Sequence, residues 1–133
     1  MTTVDELPVN SNSDVVMVRQ HVRTAAVEMG LSLIDQTKVV TAASELARNA
    51  LVYAGGGQVR IEIVQKGVRR GLRLTFSDDG PGIPDIQQAL TDGWTTGGGL
   101  GLGLSGSRRL VDEFDLRSAP GEGTLITVTK WGR

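Results

Sequence analysis

Apolar residues recur along the chain at two spacings, and these spacings predict the order of helices and strands. In the first half they return every three or four residues, over residues 15–29 and again over residues 39–51, which is typical of amphipathic helices. The first helix is predicted to end at Gly30. The second is predicted over residues 34–53, with Asp35 as its N-cap.

Elsewhere, apolar and polar residues alternate with a period of two, which indicates strands with one buried face. The predicted strands are an edge strand over residues 4–9, a hairpin over residues 59–78 with a basic turn at residues 66–70, a strand near Leu116, and a last strand over residues 124–131. Between the hairpin and Leu116, a helix is predicted to open at Leu100 and to continue through Phe114. It begins in a glycine-rich stretch, and the free N–H groups of such a helix start suit phosphate oxygens.

The second hairpin strand ends at Asp78 and runs directly into a glycine-rich turn. One more step of two beyond the apolar Leu74 and Phe76 places Asp78 on the same buried face. A carboxylate that points into a core is costly unless something hydrogen-bonds to it. Gly80 and Gly82 then allow the backbone to pass close to a neighbour. We interpret this stretch as the floor of a ligand pocket, with a solvated turn as the alternative.

Two polar residues lie one turn apart on the second helix. At ~100° per residue, Glu45 and Asn49 share a face roughly opposite the apolar one. A solvated polar face is the ordinary explanation for such a pair. Here small alanines surround it, which leaves room for something to sit against it.

The chain has 18 glycines, and about half of them lie between Gly80 and Gly106. Such crowding indicates backbone that approaches a ligand, or a mobile loop. Residues 85–90 predict one or two helical turns. Residues 91–99 are either a lid or a disordered linker, and their position between two candidate binding elements favours a lid.

Composition narrows the function classes. With 14 Lys and Arg against 15 Asp and Glu and no cysteine, there is no electrostatic case for nucleic acid or an anionic membrane, and disulfides and thiolate metal sites are excluded. Length predicts a single domain over residues 1–133. No signal peptide or membrane-spanning run is evident, so a cytoplasmic protein is expected. His21, the only histidine, is expected to be solvated rather than catalytic.

Four segments occur in a fixed order: Glu45-Leu-Ala-Arg-Asn49, Asp78-Asp-Gly80-Pro-Gly82, Gly97-Gly-Gly-Leu-Gly101-Leu-Gly103 and Gly121-Glu-Gly-Thr124. Each is a weak signal alone. Together they resemble the N box, the two glycine boxes and the adenine-side threonine of the GHKL (Bergerat-fold) ATPases and kinases. Within that family the chain most resembles the small switch serine kinases of the bacterial stressosome, in segments that include Ser44-Glu-Leu-Ala-Arg-Asn49, Gly98-Gly-Leu-Gly-Leu-Gly-Leu104 and Arg109-Leu-Val-Asp-Glu-Phe114.

The resemblance implies a two-layer α/β sandwich, in which helices cover one face of a mixed sheet and ATP binds between the layers. Asp78 would accept a hydrogen bond from the adenine amino group, and Thr124 would complete the adenine contact through water. The other nucleotide-binding residues that the resemblance implies are Gly80, Gly82, Ile83, Gly97, Gly98, Gly99, Leu100, Gly101, Leu102 and Gly103.

The resemblance also implies the chemistry. Asn49 would bind Mg²⁺ through its amide oxygen, and Glu45 would act as the catalytic base for the attacking hydroxyl. The implied function is an ATP-dependent protein serine/threonine kinase and partner switch in the general stress response. Its substrates would be STAS-domain antagonist proteins of the stressosome (RsbS- or RsbR-like). Once released, it would activate a PP2C-type phosphatase (RsbU-like).

The alternative is an anti-sigma factor, or another sequestering protein that uses nucleotide only as a conformational ligand. The related anti-sigma factor kinases carry a His-Ala-Tyr-like sequence after the N box, where this chain has Tyr53-Ala54-Gly55, and this departure counts against that alternative. A histidine kinase domain is disfavoured because His21 lies on an ordinary single helix. Gyrase-like and MutL-like ATPases need a transducer domain that 133 residues cannot hold.

Overall fold

The computed structural model describes residues 2–82 and 102–132. The predicted helical turns at 85–90 and the predicted lid at 91–99 lie outside these residues. The elements in chain order are β1 (Thr2–Val9), α1 (Asn12–Glu28), α2 (Leu33–Ala54), β2 (Gly57–Lys66), β3 (Arg69–Asp78), α3 (Leu102–Leu110), β4 (Glu113–Ser118) and β5 (Thr124–Trp131).

The five strands form one sheet in the order β1-β2-β3-β5-β4, and every pairing between neighbours is antiparallel. With the helices packed on the sheet, the predicted two-layer α/β sandwich is confirmed. One detail is corrected, because a mixed sheet was expected. β3 and β4 do run in the same direction, but β5 returns between them and pairs with both. No two parallel strands among those described are therefore neighbours.

The core lies between the helices and one face of the sheet, as the two spacings in the sequence predict. Leu72, Leu74 and Phe76 of β3 are buried, whereas the residues between them are partly exposed. Burying each such side chain contributes roughly 1.5–3 kcal/mol. α2 contributes most of its apolar face to the same core: Val39, Val40, Ala43, Leu46 and Ala47.

Both long helices begin at a serine. The Ser11 hydroxyl accepts from the Asp14 backbone N–H at 3.1 Å, and the Ser32 hydroxyl accepts from the Asp35 N–H at 3.1 Å. The N-cap of α2 is therefore Ser32, and the prediction of Asp35 as the N-cap was wrong. Asp35 lies in the first turn, where its carboxylate favours the positive end of the helix dipole. α2 ends at Gly55, which adopts the left-handed conformation with φ 75°.

α3 is shorter than predicted, since it ends at Leu110 and Phe114 already belongs to β4. The reason is that Asp112 forms hydrogen bonds with β5. The Asp112 backbone N–H donates to the Thr129 carbonyl at 3.0 Å, and its carboxylate accepts from the Trp131 backbone N–H at 2.7 Å. These bonds to β5 replace the next bonds of the helix, so the helix stops.

His21 has a partner that the sequence did not reveal. Its Nδ1 lies 2.7 Å from the Asp5 carboxylate, and both side chains are about one-third exposed. Asp5 pairs with the buried Ile61 across the sheet, so it lies on the face that α1 covers. The expectation of a solvated histidine is therefore corrected to a half-buried histidine that joins α1 to β1.

None of the helices within residues 2–82 and 102–132 combines the length and the apolar character that a membrane span requires.

Candidate functional site

A cavity opens between α2, the ends of β3 and β5, and the start of α3. Its volume is about 110 Å³, which is room for several waters, since one water needs only ~10–15 Å³ on this measure. The lining residues are Leu46, Asn49, Ala50, Tyr53, Ala54, Phe76, Asp78, Pro81, Gly82, Leu104, Thr124 and Ile126. The wall is thus largely apolar, with a few polar groups that converge on it, as in small-molecule sites.

Asp78 and Thr124 are paired directly across β3 and β5 at the cavity. This confirms that both leave their strands on the buried face. Burial raises the pKa of Asp78 above its usual value of 3.8, hydrogen bonds from the backbone N–H groups of Gly80 and Thr124 oppose that rise, and the negative charge of Asp79 adds to it. The Gly80 N–H lies 2.9 Å from one carboxylate oxygen. Asp78 therefore presents a fixed, half-buried acceptor to the cavity.

The glycines of the turn are required by packing within the protein. A Cβ on Gly80 would lie 2.5 Å from the Ala54 Cβ at the end of α2. Gly82 has φ +79°, and a Cβ there would meet the Ala119 carbonyl group. The turn is therefore clamped between α2 and the β4–β5 connection, which fixes the position of Asp78. The predicted contact of both glycines with nucleotide stays a prediction.

A short hydrogen-bond chain fixes the Thr124 hydroxyl. The Ser118 hydroxyl donates to the Gly123 carbonyl at 2.8 Å and lies 3.1 Å from the Thr124 hydroxyl oxygen. Because the single hydroxyl hydrogen of Ser118 goes to the carbonyl, Thr124 donates to Ser118. The lone pairs of Thr124 are then left for a donor in the cavity. The sequence did not identify Ser118, since only the register of β4 on β5 brings it to Thr124.

Asn49 lines the cavity, and its side-chain nitrogen is buried without a hydrogen-bond partner among the described residues. A buried, unsatisfied amide is costly and indicates a missing partner. Rotation of the amide by 180° exchanges nitrogen and oxygen, so this position can also offer an oxygen to a metal ion. No group of three or more His, Asp or Glu side chains that could hold a metal occurs within 2–82 and 102–132. An ion bound at Asn49 would therefore depend on water and on a ligand's own oxygens, as Mg²⁺ commonly does.

Glu45 lies one turn before Asn49 on α2 but does not line the cavity. Its side chain is half-buried. Four residues of helix separate the two positions by ~6 Å along the axis. Glu45 is thus placed beside the cavity, on the side where Asn49 projects.

α3 begins at Leu102, and its buried Leu104 lines the cavity. The first turn of this helix therefore lies at the cavity rim, where the N–H groups of a helix start and the positive end of the helix dipole favour anions. Gly103 belongs to that turn. The remaining predicted nucleotide-binding residues, Ile83, Gly97, Gly98, Gly99, Leu100 and Gly101, lie outside the described residues.

The apolar lining of the cavity was not predicted as part of the site, although the sequence contained its signal. Phe76 lies two residues before Asp78, and Ile126 lies two residues after Thr124, so period two puts each pair on one face. Likewise, Leu46 and Tyr53 lie three and four residues from Asn49 on α2. Counting two residues along the strands and three or four along the helix, starting from the polar site residues, would have identified these apolar lining residues.

Known proteins are similar to this chain over most of its length. A family model described as "Histidine kinase-, DNA gyrase B-, and HSP90-like ATPase" matches residues 34–131. The serine/threonine-protein kinase RsbT of Bacillus subtilis is 51% identical over 120 residues, which cover 90% of each chain. An anti-sigma F factor of Thermoanaerobacter is 29% identical over 118 residues, which cover 85% of this chain and 82% of that protein.

Two solved structures show the same fold at lower identity. The RsbU and RsbW domains of Rv1364c from Mycobacterium tuberculosis align with a TM-score of 0.65 and 21% identity, covering 98% of this chain and 33% of that one. The mycobacterial sensor histidine kinase MprB aligns with a TM-score of 0.56 and 21% identity, covering 97% and 99%.

Proposed function

The chain belongs to the family of histidine kinase-, DNA gyrase B- and HSP90-like ATPases, and we therefore propose that it is an ATP-dependent protein kinase that phosphorylates a serine or threonine of a partner protein. The observation that carries this proposal is the convergence of Asp78, Thr124 and the unsatisfied Asn49 amide on one cavity at the start of α3. The 51% identity to a serine/threonine-protein kinase supports the reaction class.

Asp78 and Thr124 select the base. The adenine amino group donates to the Asp78 carboxylate, and Thr124 offers a further acceptor, directly or through water. A guanine base presents a carbonyl oxygen at the same edge, and it would leave the half-buried carboxylate facing another acceptor. Phe76, Ile126 and Leu46 provide the apolar surface against which the base is buried.

Asn49 would hold the metal ion, and the start of α3 the phosphates. Bound at the Asn49 amide oxygen, Mg²⁺ would neutralise charge on the phosphate oxygens. The backbone N–H groups at the start of α3 receive phosphate oxygens. Gly97–Gly99, Gly101 and Ile83 complete the nucleotide site in this proposal.

Glu45 acts as the general base. The hydroxyl oxygen of the acceptor attacks the γ-phosphorus, the bond from that phosphorus to the β–γ bridging oxygen breaks, and ADP leaves with the electron pair. Glu45 takes the hydroxyl proton. Its half-exposed side chain beside Asn49 is open to a residue that a second protein brings in. General-base catalysis typically contributes ~10²–10⁴ in rate.

The partners we propose are STAS-domain antagonist proteins as substrates and, after release from them, a PP2C-type phosphatase that the free kinase activates in the cytoplasm. This proposal rests on the similarity to RsbT.

Replacing Glu45 tests the proposal. We expect Glu45→Gln to bind ATP with Mg²⁺ as tightly as the wild type, but to transfer phosphate to the STAS protein ~10²–10⁴-fold more slowly, because the general base is lost. Single-turnover transfer of labelled phosphate measures the rate, and calorimetry measures the affinity. Glu28→Gln, an exposed acid at the end of α1, is the matched control. Transfer at the wild-type rate by Glu45→Gln would refute the assignment of the base.

A sequestering protein of the anti-sigma class is the second candidate, and the 29% identity to an anti-sigma F factor favours it. In that case bound nucleotide changes the affinity of this protein for a sigma factor, and no phosphorylated STAS protein forms. Co-purification with a sigma factor, together with no transfer by the wild type, would select this candidate.

A further inference from the structure

One end of the sandwich carries apolar surface that the proposed reaction does not use. We call it the hairpin end: the β2–β3 turn with its flanking residues 66–70, the α1–α2 connection with the start of α2 (residues 29–35), and Gly132. The three most exposed large apolar side chains of the described residues belong to it, namely Val68 at 96%, Leu33 at 72% and Ile34 at 69%. Exposed apolar groups clustered at one place mark interaction sites.

The hairpin end contains a cleft, and of the three exposed apolar residues only Val68 lines it. Val68 lines it from the hairpin, Leu31, Ser32 and Asp35 line it from the helix connection, and its volume is about 290 Å³. Leu33 and Ile34 lie between Ser32 and Asp35 in the chain, next to the cleft, but do not line it themselves. A concave site with exposed apolar side chains next to it can receive a protruding segment of a partner protein.

The hairpin end is cationic. Lys66, Arg69 and Arg70 are all exposed, and Arg70 lines the cleft. Neither Lys66 nor Arg70 forms an ion pair within residues 2–82 and 102–132, whereas Arg69 stacks on the Trp131 ring with 5.5 Å from its Cζ to the ring centroid. Asp35, the one acid in the described lining, lies 3.6 Å from the Lys130 ammonium. The charge left for a partner is therefore positive.

The hairpin end is far from the place of phosphoryl transfer. Sixteen residues of α2 separate Leu33 from Asn49, which corresponds to ~24 Å, and β3 carries the chain from Arg69 to Asp78 over about 30 Å. A segment docked at the hairpin end thus leaves the nucleotide cavity open. The partner that binds here has no need to place a hydroxyl beside Glu45.

We propose that the hairpin end docks an acidic, amphipathic segment of the phosphatase that the free kinase activates. This inference rests on the proposed function for the identity of the partner. Acidic side chains of the segment meet Lys66 and Arg70, and its apolar side chains meet Val68, Leu33 and Ile34. A protein segment is favoured over a lipid surface because Val68 and Arg70 line a cleft, into which a bilayer cannot fold.

Two variants of the full chain test the docking site, Val68→Asp and Arg70→Glu. Both residues are exposed, and each change places a negative charge where the acidic segment is expected. We expect the dissociation constant for the purified PP2C-type phosphatase, measured by calorimetry, to rise at least tenfold in each. ATP affinity and phosphate transfer to the STAS protein should stay within twofold of the wild type. Arg23→Glu, the same charge change on the exposed side of α1, should bind the phosphatase normally.

If both variants bind the phosphatase as tightly as the wild-type chain does, the inference is overturned, but the proposed kinase function is not affected. No phosphatase binding by the wild type would also overturn it, even with normal phosphate transfer. Failure of phosphate transfer in the wild type would instead refute the proposed function. Vesicles of phosphatidylcholine with phosphatidylserine form a second arm: if the variants lose vesicle binding but keep phosphatase binding, the hairpin end is a lipid site and the inference is wrong.

Discussion

Asp78 shows how one residue can be unfavourable for the fold and favourable for the site. Burial raises its pKa, which means that the folded protein holds the ionised form less well than the unfolded chain does. As the pH rises through the unfolded value of 3.8 and then through the folded pKa, the protein loses stability from this group. In the proposed function, the same half-buried carboxylate accepts a hydrogen bond from the adenine amino group.

Asp78→Asn should therefore weaken ATP binding without lowering the stability of the folded protein. At neutral pH we expect the unliganded variant to melt at the same temperature as the wild type or slightly above it, because it carries no partly buried charge. We expect ATP affinity to fall by ~1–3 kcal/mol, since the amide either loses an acceptor or turns a donor toward the amine. Differential scanning fluorimetry and calorimetry measure the two quantities.

Asp79→Asn is the control, because Asp79 is the exposed neighbour and does not line the cavity. It should bind ATP like the wild type. The ratio of wild-type to Asp78→Asn affinity should shrink as the pH falls through the raised pKa of Asp78, where the carboxylate becomes protonated. An affinity ratio that is constant with pH, or wild-type affinity in Asp78→Asn, would contradict the role of Asp78.

At the scale of elements, the turn after β3 is held by close backbone packing on both sides. Gly82 and Gly121 both have left-handed backbones, with φ +79° and +78°, and differ in their surroundings. A Cβ on Gly82 would lie 2.8 Å from the Ala119 carbonyl carbon, whereas a Cβ on Gly121 would meet nothing within 4 Å. Comparing alanine substitutions at the two glycines therefore separates the free-energy cost of the left-handed backbone from the cost of the contact with Ala119.

Gly121→Ala should lower the free energy of unfolding by ~1–2 kcal/mol, the cost of the left-handed conformation alone. Gly82→Ala should lower it by at least about 1 kcal/mol more, because the turn must also move away from Ala119. Urea unfolding measures both. Equal losses in the two variants would show that the turn has room to move.

A second junction between elements is made by Lys130 of β5. Its side chain is 11% exposed, and its ammonium lies 3.2 Å from Asp112 and 3.6 Å from Asp35. Asp35 belongs to the first turn of α2, and Asp112 follows α3. This lysine therefore ties the sheet to the ends of two helices.

Lys130→Met should destabilise the protein by about 1–3 kcal/mol. Removing one member of a buried ion pair leaves its partners uncompensated, and the partial exposure of both aspartates lets water reduce the loss. Arg117→Met is the control, because its pair with Asp115 is largely exposed and should contribute below ~1 kcal/mol. Urea unfolding again compares the two, and a loss for Lys130→Met no larger than that for Arg117→Met would contradict the prediction.

At the scale of the whole molecule, a ligand that binds only the folded state stabilises all of it. ATP with Mg²⁺ at 100 times its dissociation constant should add about 2.7 kcal/mol and raise the melting temperature by roughly 8 °C. GTP should bind at least ~100-fold more weakly, since its carbonyl faces the Asp78 acceptor. At the same concentration it would then add at most about 0.4 kcal/mol. Equal shifts with ATP and GTP, measured by scanning fluorimetry, would contradict adenine selection.

Much of the fold and part of the site could be predicted because they depend on local periodicity. Period two placed Asp78 and Thr124 on one buried face, and the structure confirms both positions. The prediction of a kinase of this family is also confirmed. Helical spacing did not show that Ala42, one of the small alanines beside Glu45 and Asn49, is buried. Burial on a helix depends on what packs against it, as α3 packs on α2, and no pattern within α2 reports a neighbour so far along the chain.

The sequence by itself determined which faces are buried and where the hairpin turns, because alternation and helical spacing are properties of neighbouring residues. Only the tertiary structure decided that Ser118 holds Thr124, that Asp112 ends α3, that His21 meets Asp5, and that exposed apolar groups gather at the hairpin end. Each of these depends on strand register or on contacts between residues far apart in the chain. Such contacts form only when the sheet and its helices have assembled, so no local pattern encodes them.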